Sequence, residues 1–327
     1  MKRVSVVVPT YKRSGYLERC LLALLAQDFP AGDFEILIVD DAASEQTRQQ
    51  VEEWSARMAV EGYTIRYLST SKTAHGPAAA RNLGWHTAQS EIIAFTDDDC
   101  IPEQRWLTSA LAALEDDKEI AALSGRIVIP MSTSVTDYEY NAYQLTRSEF
   151  VTANCFYRRD TLLQIGGFDE RFTAAWREDT DLYFSLLEHD LHTVAVPEVV
   201  VMHPLRPARW GISLFQQRKS MFNALLYKKH PVLYRQKVQA RPPWHYYSIL
   251  GALLVAIVAG IFGLWLLSLI ALTAWLFMTL RFSLQRLRKT IHTPAHIAEM
   301  LLTSALIPPI CIFWRVYGML RFRVLFL

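Results

Sequence analysis

The sequence predicts an α/β domain with a mostly parallel sheet, followed by C-terminal helices that sit in or on a membrane. Three observations carry this. Short β-branched runs alternate with stretches of helical periodicity along the front of the chain. Two of those runs end abruptly in acidic residues. Residues 246–280 form 35 consecutive positions without Asp, Glu, Lys or Arg. The 327 residues are 51% hydrophobic and 20% charged, with 13 Gly and 14 Pro, which excludes disordered and collagen-like chains.

Residues 4–8 (VSVVV) are stopped by Pro9, and residues 35–39 (EILIV) by Asp40-Asp41; both read as buried strands. Between them, Leu17, Leu21, Leu24 and Leu25 recur at helical spacing, completing a βαβ unit. Residues 64–68 read as a third strand, 77–87 as a helix of small residues, and 91–95 as a strand running into Thr96-Asp97-Asp98-Asp99. Further on come a turn at Gly166-Gly167-Phe168-Asp169, a helix opening at Glu178-Asp179-Thr180-Asp181, and a late strand pair within 193–202 that ends at His203.

Ligands of open α/β sheets sit at the carboxyl ends of strands, so Asp40-Asp41 and Asp97-Asp98-Asp99 can face one crevice. The alternative for Asp40-Asp41 is that they cap a turn. Three consecutive Asp after a buried strand repel one another, and a cation or hydrogen-bond donors must offset that. Asp179 and Asp181 in the first turn of a helix also answer to the helix dipole. His203 alone reads either as a strand-end histidine or as a ligand.

Cys20, Cys100, Cys155 and Cys311 form no CxxC pair and no short-spaced Cys/His cluster, which indicates neither a zinc site nor a disulfide framework. The five-residue apolar run after the N-terminal basic residues is too short for a signal peptide, so the front domain is expected to stay cytosolic. Residues 246–327 carry seven basic and one acidic side chain, a net +6 within a total of +2, leaving −4 on the front 245 residues. A mildly acidic front domain argues against nucleic acid as a partner.

A straight helix of 35 residues would be about 50 Å long, against about 30 Å of hydrocarbon, so 246–280 is read as a hairpin turning near residues 260–263. Two crossings return Arg281, Arg286, Arg288 and Lys289 to the cytosolic side. Residues 300–314, with Pro308-Pro309, read as interfacial or re-entrant rather than spanning. Residues 211–230 read as a basic amphipathic helix, lying on the bilayer or packed against the globular domain. The expected division is 1–210, 211–245, 246–280 and 281–327.

The ordered set VSVVVPTYKR, IVDDAAS, GPAAARNLGW, AFTDDDCIP, TANCFYRRD, GGFDERF and WREDTDLYFSL resembles the family 2 inverting glycosyltransferases of GT-A (Rossmann-like) fold, over about residues 3–230. The resemblance implies a nucleotide-sugar donor bordered by Pro9, Thr10, Tyr11, Asp41, Arg81, Asp97 and Asp98. It implies a divalent metal, Mn²⁺ or Mg²⁺, on Asp99 and His203, with Asp97 and Asp99 forming the DxD pair. It makes Asp179 the general base and places Asn154, Trp176 and Glu178 at the acceptor. No clean QxxRW follows near Arg209-Trp210 or Gln216-Gln217-Arg218, so addition of one or few sugars is expected. The expected acceptor is a lipid-linked saccharide at the cytosolic face of the plasma (inner) membrane. A polyprenyl phosphate, a non-catalytic nucleotide-sugar-binding scaffold and a metal phosphohydrolase are the competing readings.

Overall fold

The computed structural model describes residues 2–71 and 75–326, and these divide into two compact units. The first comprises residues 1–130 and 145–205, the second residues 131–144 and 206–327.

The first unit is an α/β layer structure. Its elements run β1 (Val4–Thr10), α1 (Ser14–Leu25), β2 (Phe34–Asp40), α2 (Glu45–Ala59), β3 (Thr64–Ser69), α3 (Pro77–Thr87), β4 (Ile92–Phe95), β5 (Ile101–Pro102), α4 (Trp106–Asp116) and β6 (Ala122–Val128). The chain then leaves for α5 (Asp137–Tyr143) of the second unit, and returns for β7 (Cys155–Arg158), α6 (Arg159–Ile165), α7 (Glu178–Glu188) and β8 (Thr193–Met202). The eight strands lie in the order β3-β2-β1-β4-β7-β6-β8-β5, and only the β4–β7, β6–β7 and β5–β8 pairings are antiparallel. The mostly parallel sheet is the one the sequence predicts. Strands β1 and β2 are apolar on both faces because helices cover both, and Val6, Val7, Val8, Ile36, Leu37, Ile38 and Val39 are buried. Gly84 lets α3 lie close on the sheet, since a Cβ there would meet Val7 Cγ1 at 2.3 Å.

One local reading is corrected. Residues 193–202 form one strand, not a pair: its pairing with β6 jumps from Val196 to Val200 opposite Gly125 and Arg126, so residues 197–199 bulge. Residues 131–144, with α5, fall in the second unit.

The second unit continues with α8 (Ile212–Gln216), a 3₁₀ turn (Gln217–Met221), α9 (Phe222–Lys229), the single turn α10 (Pro231–Leu233), α11 (Trp244–Ile261), α12 (Trp265–Leu287) and α13 (Pro294–Phe322). The stretch 211–230 is thus broken rather than one helix, and its apolar residues Met221, Phe222, Leu225 and Leu226 are buried. They pack on α13: a Cβ at Gly318 would sit 2.4 Å from the Met221 carbonyl oxygen. The buried residues of this stretch are covered by α13 of the same unit, while Phe215 remains exposed.

The hairpin turns where the glycines put it, with α11 ending at Ile261, Gly263 at φ +72°, and α12 starting at Trp265. The two later readings change. Helix α12 runs on to Leu287, so Arg281 and Arg286 are helical rather than in a basic loop. Residues 300–314 lie inside one continuous 29-residue helix, α13, which with α11 and α12 is long and apolar enough to cross a bilayer. Its two prolines sit mid-helix, where a membrane helix tolerates the lost amide donors. One face of α13 is buried, through Met300, Thr303, Ser304, Ile307, Cys311, Arg315, Gly318 and Phe322 at steps of one, three and four. Within this unit Arg286 donates to Asp137 Oδ2 at 2.7 Å, Thr303 Oγ1 at 2.7 Å and Ser304 Oγ at 3.1 Å, which ties α5, α12 and α13 together.

Candidate active site

Strands β1 and β2 end side by side, with Thr10 opposite Asp40, and β4 ends at Phe95 beside β1. The acidic turn that follows β4 is pinned to β1. Asp98 is buried, and its carboxylate accepts from Thr10 Oγ1 at 2.7 Å and from Arg13 Nη1 at 3.0 Å. Burial holds the Asp98 carboxyl above its ordinary range, against the opposing pull of Arg13 and Thr10. Asp98 thus anchors the turn to β1. The Thr10 hydroxyl is committed to the same bond, which leaves Pro9, half-buried, and Tyr11, exposed, at the strand end.

Asp40 and Asp41 have different partners. Asp40 is buried and caps the turn, accepting from the amides of Ala42 at 2.9 Å and Ser44 at 2.6 Å. Asp41 is half-buried, and its Oδ1 accepts from Thr70 Oγ1 at 3.0 Å and the Gly76 amide at 2.8 Å. Gly76 sits at φ +98°, with Thr173 backbone atoms at 3.0–3.1 Å from where a Cβ would stand, so both its conformation and its surroundings select glycine.

Helix α3 brings Arg81 into the centre. The buried guanidinium donates to Asp97 Oδ1 at 2.8 Å through Nη2 and to Glu178 Oε1 at 3.1 Å through Nη1, and it lies over the Phe168 ring. One fork thus joins the acidic turn after β4 to the first turn of α7. Glu178 is as buried as its partner and is a counterion of Arg81. Burial and the neighbouring Asp179 raise the Glu178 carboxyl to about 7, against Arg81.

Asp179, next in the helix, is half-buried, and its Oδ1 accepts from the Thr180 amide at 2.6 Å. Burial raises its pKa, while Thr180, Arg81 and Arg177 pull the other way. Arg177 itself takes φ +77° at the helix start, a strained conformation of the sort that gathers at working sites. Its guanidinium stacks on Trp176, which is 40% exposed and presents an aromatic face.

A set of metal-type donors lies at the same end of the sheet. One carboxylate oxygen each from Asp97 and Asp99, Cys100 Sγ and one ring nitrogen of His203 all lie within 4.8 Å of one another. His203 Nε2 is 3.7 Å from Asp99 Oδ1, too far for a hydrogen bond, and its buried Nδ1 has no hydrogen-bond partner. Carboxylates and an imidazole converging in this way suit a divalent ion. Cys100 was not joined to this group by sequence reasoning, because His203 stands far from it along the chain. Its position directly after Asp99 in the turn was the available signal.

Asn154, which the resemblance puts beside the acceptor, has its side chain held by protein partners. It is fully buried: Nδ2 donates to the carbonyls of Arg126 at 3.0 Å and Val199 at 2.9 Å, and Oδ1 accepts from Trp106 Nε1 at 2.8 Å. It clasps the β8 bulge, beyond which the strand delivers His203, and a Cβ on Gly125 would meet both Val199 O and Asn154 Nδ2 within 2.4 Å. Replacing Asn154 with Leu strands three buried polar groups, at about 1–3 kcal/mol each. A clear fall in the melting temperature of the detergent-solubilised protein, together with weaker metal binding, is expected.

The fold is of GT-A type, and the chain belongs to glycosyl transferase family 2, whose model matches residues 5–178; the model of glycosyl transferase family group 2 matches residues 92–284. It is a glycosyltransferase. The glycosyltransferase AglE of Haloferax volcanii is 26% identical over 218 residues, covering 62% of this chain and 67% of AglE. The poly(ribitol-phosphate) beta-N-acetylglucosaminyltransferase TarS of Staphylococcus aureus is 33% identical over 116 residues, 36% of this chain and 19% of TarS. The GalNAc(5)-diNAcBac-PP-undecaprenol beta-1,3-glucosyltransferase of Campylobacter jejuni is 32% identical over 114 residues, 35% of this chain and 34% of its own. The chain therefore spans well under half the length of the last two. In fold it resembles the mannosyltransferase PcManGT of Pyrobaculum calidifontis, solved with GDP-Man and Mn²⁺, at TM-score 0.57 and 19% identity over 98% of this chain and 87% of that one.

Proposed function

We propose that this protein moves one sugar at a time, with inversion and with a divalent metal, from a nucleotide-sugar donor to a saccharide carried on a membrane lipid. The observation that carries this reading is the Arg81 fork, which joins Asp97 of the metal-type cluster to Glu178, the residue before Asp179. A leaving-group side and a base side are thereby held in one rigid arrangement.

In this reading Asp179 accepts the proton of the acceptor hydroxyl as that oxygen attacks the anomeric carbon. The new glycosidic bond forms as the bond to the diphosphate breaks on the opposite face, and the diphosphate leaves with the electron pair. Asp99 and His203, with Asp97, hold Mn²⁺ or Mg²⁺, which when bound offsets the charge that develops on the diphosphate. Pro9, Tyr11 and Asp41 border the donor, and Trp176 offers its exposed face to an acceptor sugar.

The lipid-linked acceptor is supported by the three apolar helices and by the undecaprenol-linked substrate in the Campylobacter relative's name. Carrying the catalytic unit and the apolar helices on one chain raises the effective concentration of a membrane-held acceptor. The basic cluster around Arg281–Lys289 supports a catalytic unit on the cytosolic face of the plasma (inner) membrane. The missing QxxRW supports a non-processive enzyme.

The test is the melting temperature of the detergent-purified protein against UDP-, GDP-, dTDP- and CMP-sugars, each with Mn²⁺ and with EDTA. Stabilisation by one nucleotide class with Mn²⁺ and its loss in EDTA are expected. A panel without any shift would overturn the donor site.

A further inference from the structure

We propose that Cys100 is a ligand of the divalent ion, so that the site takes thiophilic cations such as Co²⁺, Zn²⁺ or Cd²⁺ in preference to Mg²⁺. This rests on the metal reading above and extends it to a residue outside the DxD pair.

The geometry comes first. Cys100 follows Asp99 directly, and its amide donates to the Asp97 carbonyl at 3.0 Å, which closes the acidic turn and fixes where the side chain starts. The side chain is fully buried, so Sγ has no solvent-facing alternative. Sγ, the Asp97 and Asp99 carboxylate oxygens and a His203 ring nitrogen all fall within 4.8 Å of one another. Donors on opposite sides of one ion, at metal–ligand distances of about 2.0–2.3 Å, stand roughly 4–4.6 Å apart. The four groups therefore need only small adjustments to share one ion.

The chemistry of the set points the same way. Oxygen donors alone favour Mg²⁺, whereas an added imidazole and a sulfur shift preference toward softer ions. An incoming cation takes the place of the thiol proton, which is released to solvent. Cys20, Cys155 and Cys311 lie outside this donor group, and all four cysteines are unbridged.

The test uses the full-length protein in detergent, first stripped with EDTA. Co²⁺ is titrated into the wild type and into Cys100→Ser while the near-ultraviolet sulfur-to-cobalt charge-transfer band is followed, and Mn²⁺ binding to both is read by electron paramagnetic resonance. The expected result is a band in the wild type, its loss in Cys100→Ser, and Mn²⁺ bound by both. If Cys100→Ser does not fold, Cys100→Ala serves in its place. Mn²⁺ binding without a charge-transfer band in the wild type, or a band that persists in the variant, would overturn the role of Cys100 and leave the metal site standing. Failure of both proteins to bind Mn²⁺ or Co²⁺ would overturn the metal reading itself.

Discussion

Asp179→Asn is expected to lower the transfer rate by about 10²–10⁴-fold while the nucleotide sugar still binds. The amide keeps the shape of the side chain and still accepts from Thr180, but it takes no proton from the acceptor hydroxyl. Donor binding is read as nucleotide-dependent stabilisation, and transfer as product formed per unit time. Transfer at the wild-type rate would remove Asp179 from the base role. The pH profile supplies a second readout. Burial raises the Asp179 pKa, and only the ionised carboxylate is a base. Activity should therefore fall on acidification at a pH above the usual carboxylate range, and that limb should vanish from the residual activity of the variant.

Arg81→Ala should have the largest effect on stability. It leaves Asp97 and the buried Glu178 without their shared cation, and removing one partner from a buried ion pair costs about 3–5 kcal/mol. The melting temperature of the detergent-solubilised protein should drop accordingly. Arg81 also lowers the pKa of both Glu178 and Asp179, so its loss moves both further up. Where the variant folds, its acid limb should move to higher pH. Arg81→Lys restores the charge but not the fork, and one ammonium is poorly placed to serve both Asp97 and Glu178. An Arg81→Ala protein as stable as the wild type, with an unmoved pH profile, would show that the bridge is not maintained in solution.

Asp179 and Arg81 separate what local sequence carries from what contacts distant along the chain impose. The central strands, the hairpin and the order of the motifs were legible because each rests on local chemistry. An apolar run bounded by Pro or Asp reads as a buried strand wherever it falls, and 35 residues without charge need lipid or a core. Asp179 and the DxD pair were singled out by the motifs the chain shares with family 2 glycosyltransferases. The partners of a polar side chain are set by residues far along the chain, and periodicity carries no record of them. Hence the hydrogen bonds of Asp98 to Thr10 and Arg13, of Asn154 to the β8 bulge and of Glu178 to Arg81 are visible only in the structure. Cys100 looked inert until β8 carried His203 to the same turn. For the same reason the C-terminal stretch with two prolines gave no sign of one continuous helix. Proline removes local hydrogen bonds, and it was the packing of one α13 face against the rest of its unit that decided the outcome.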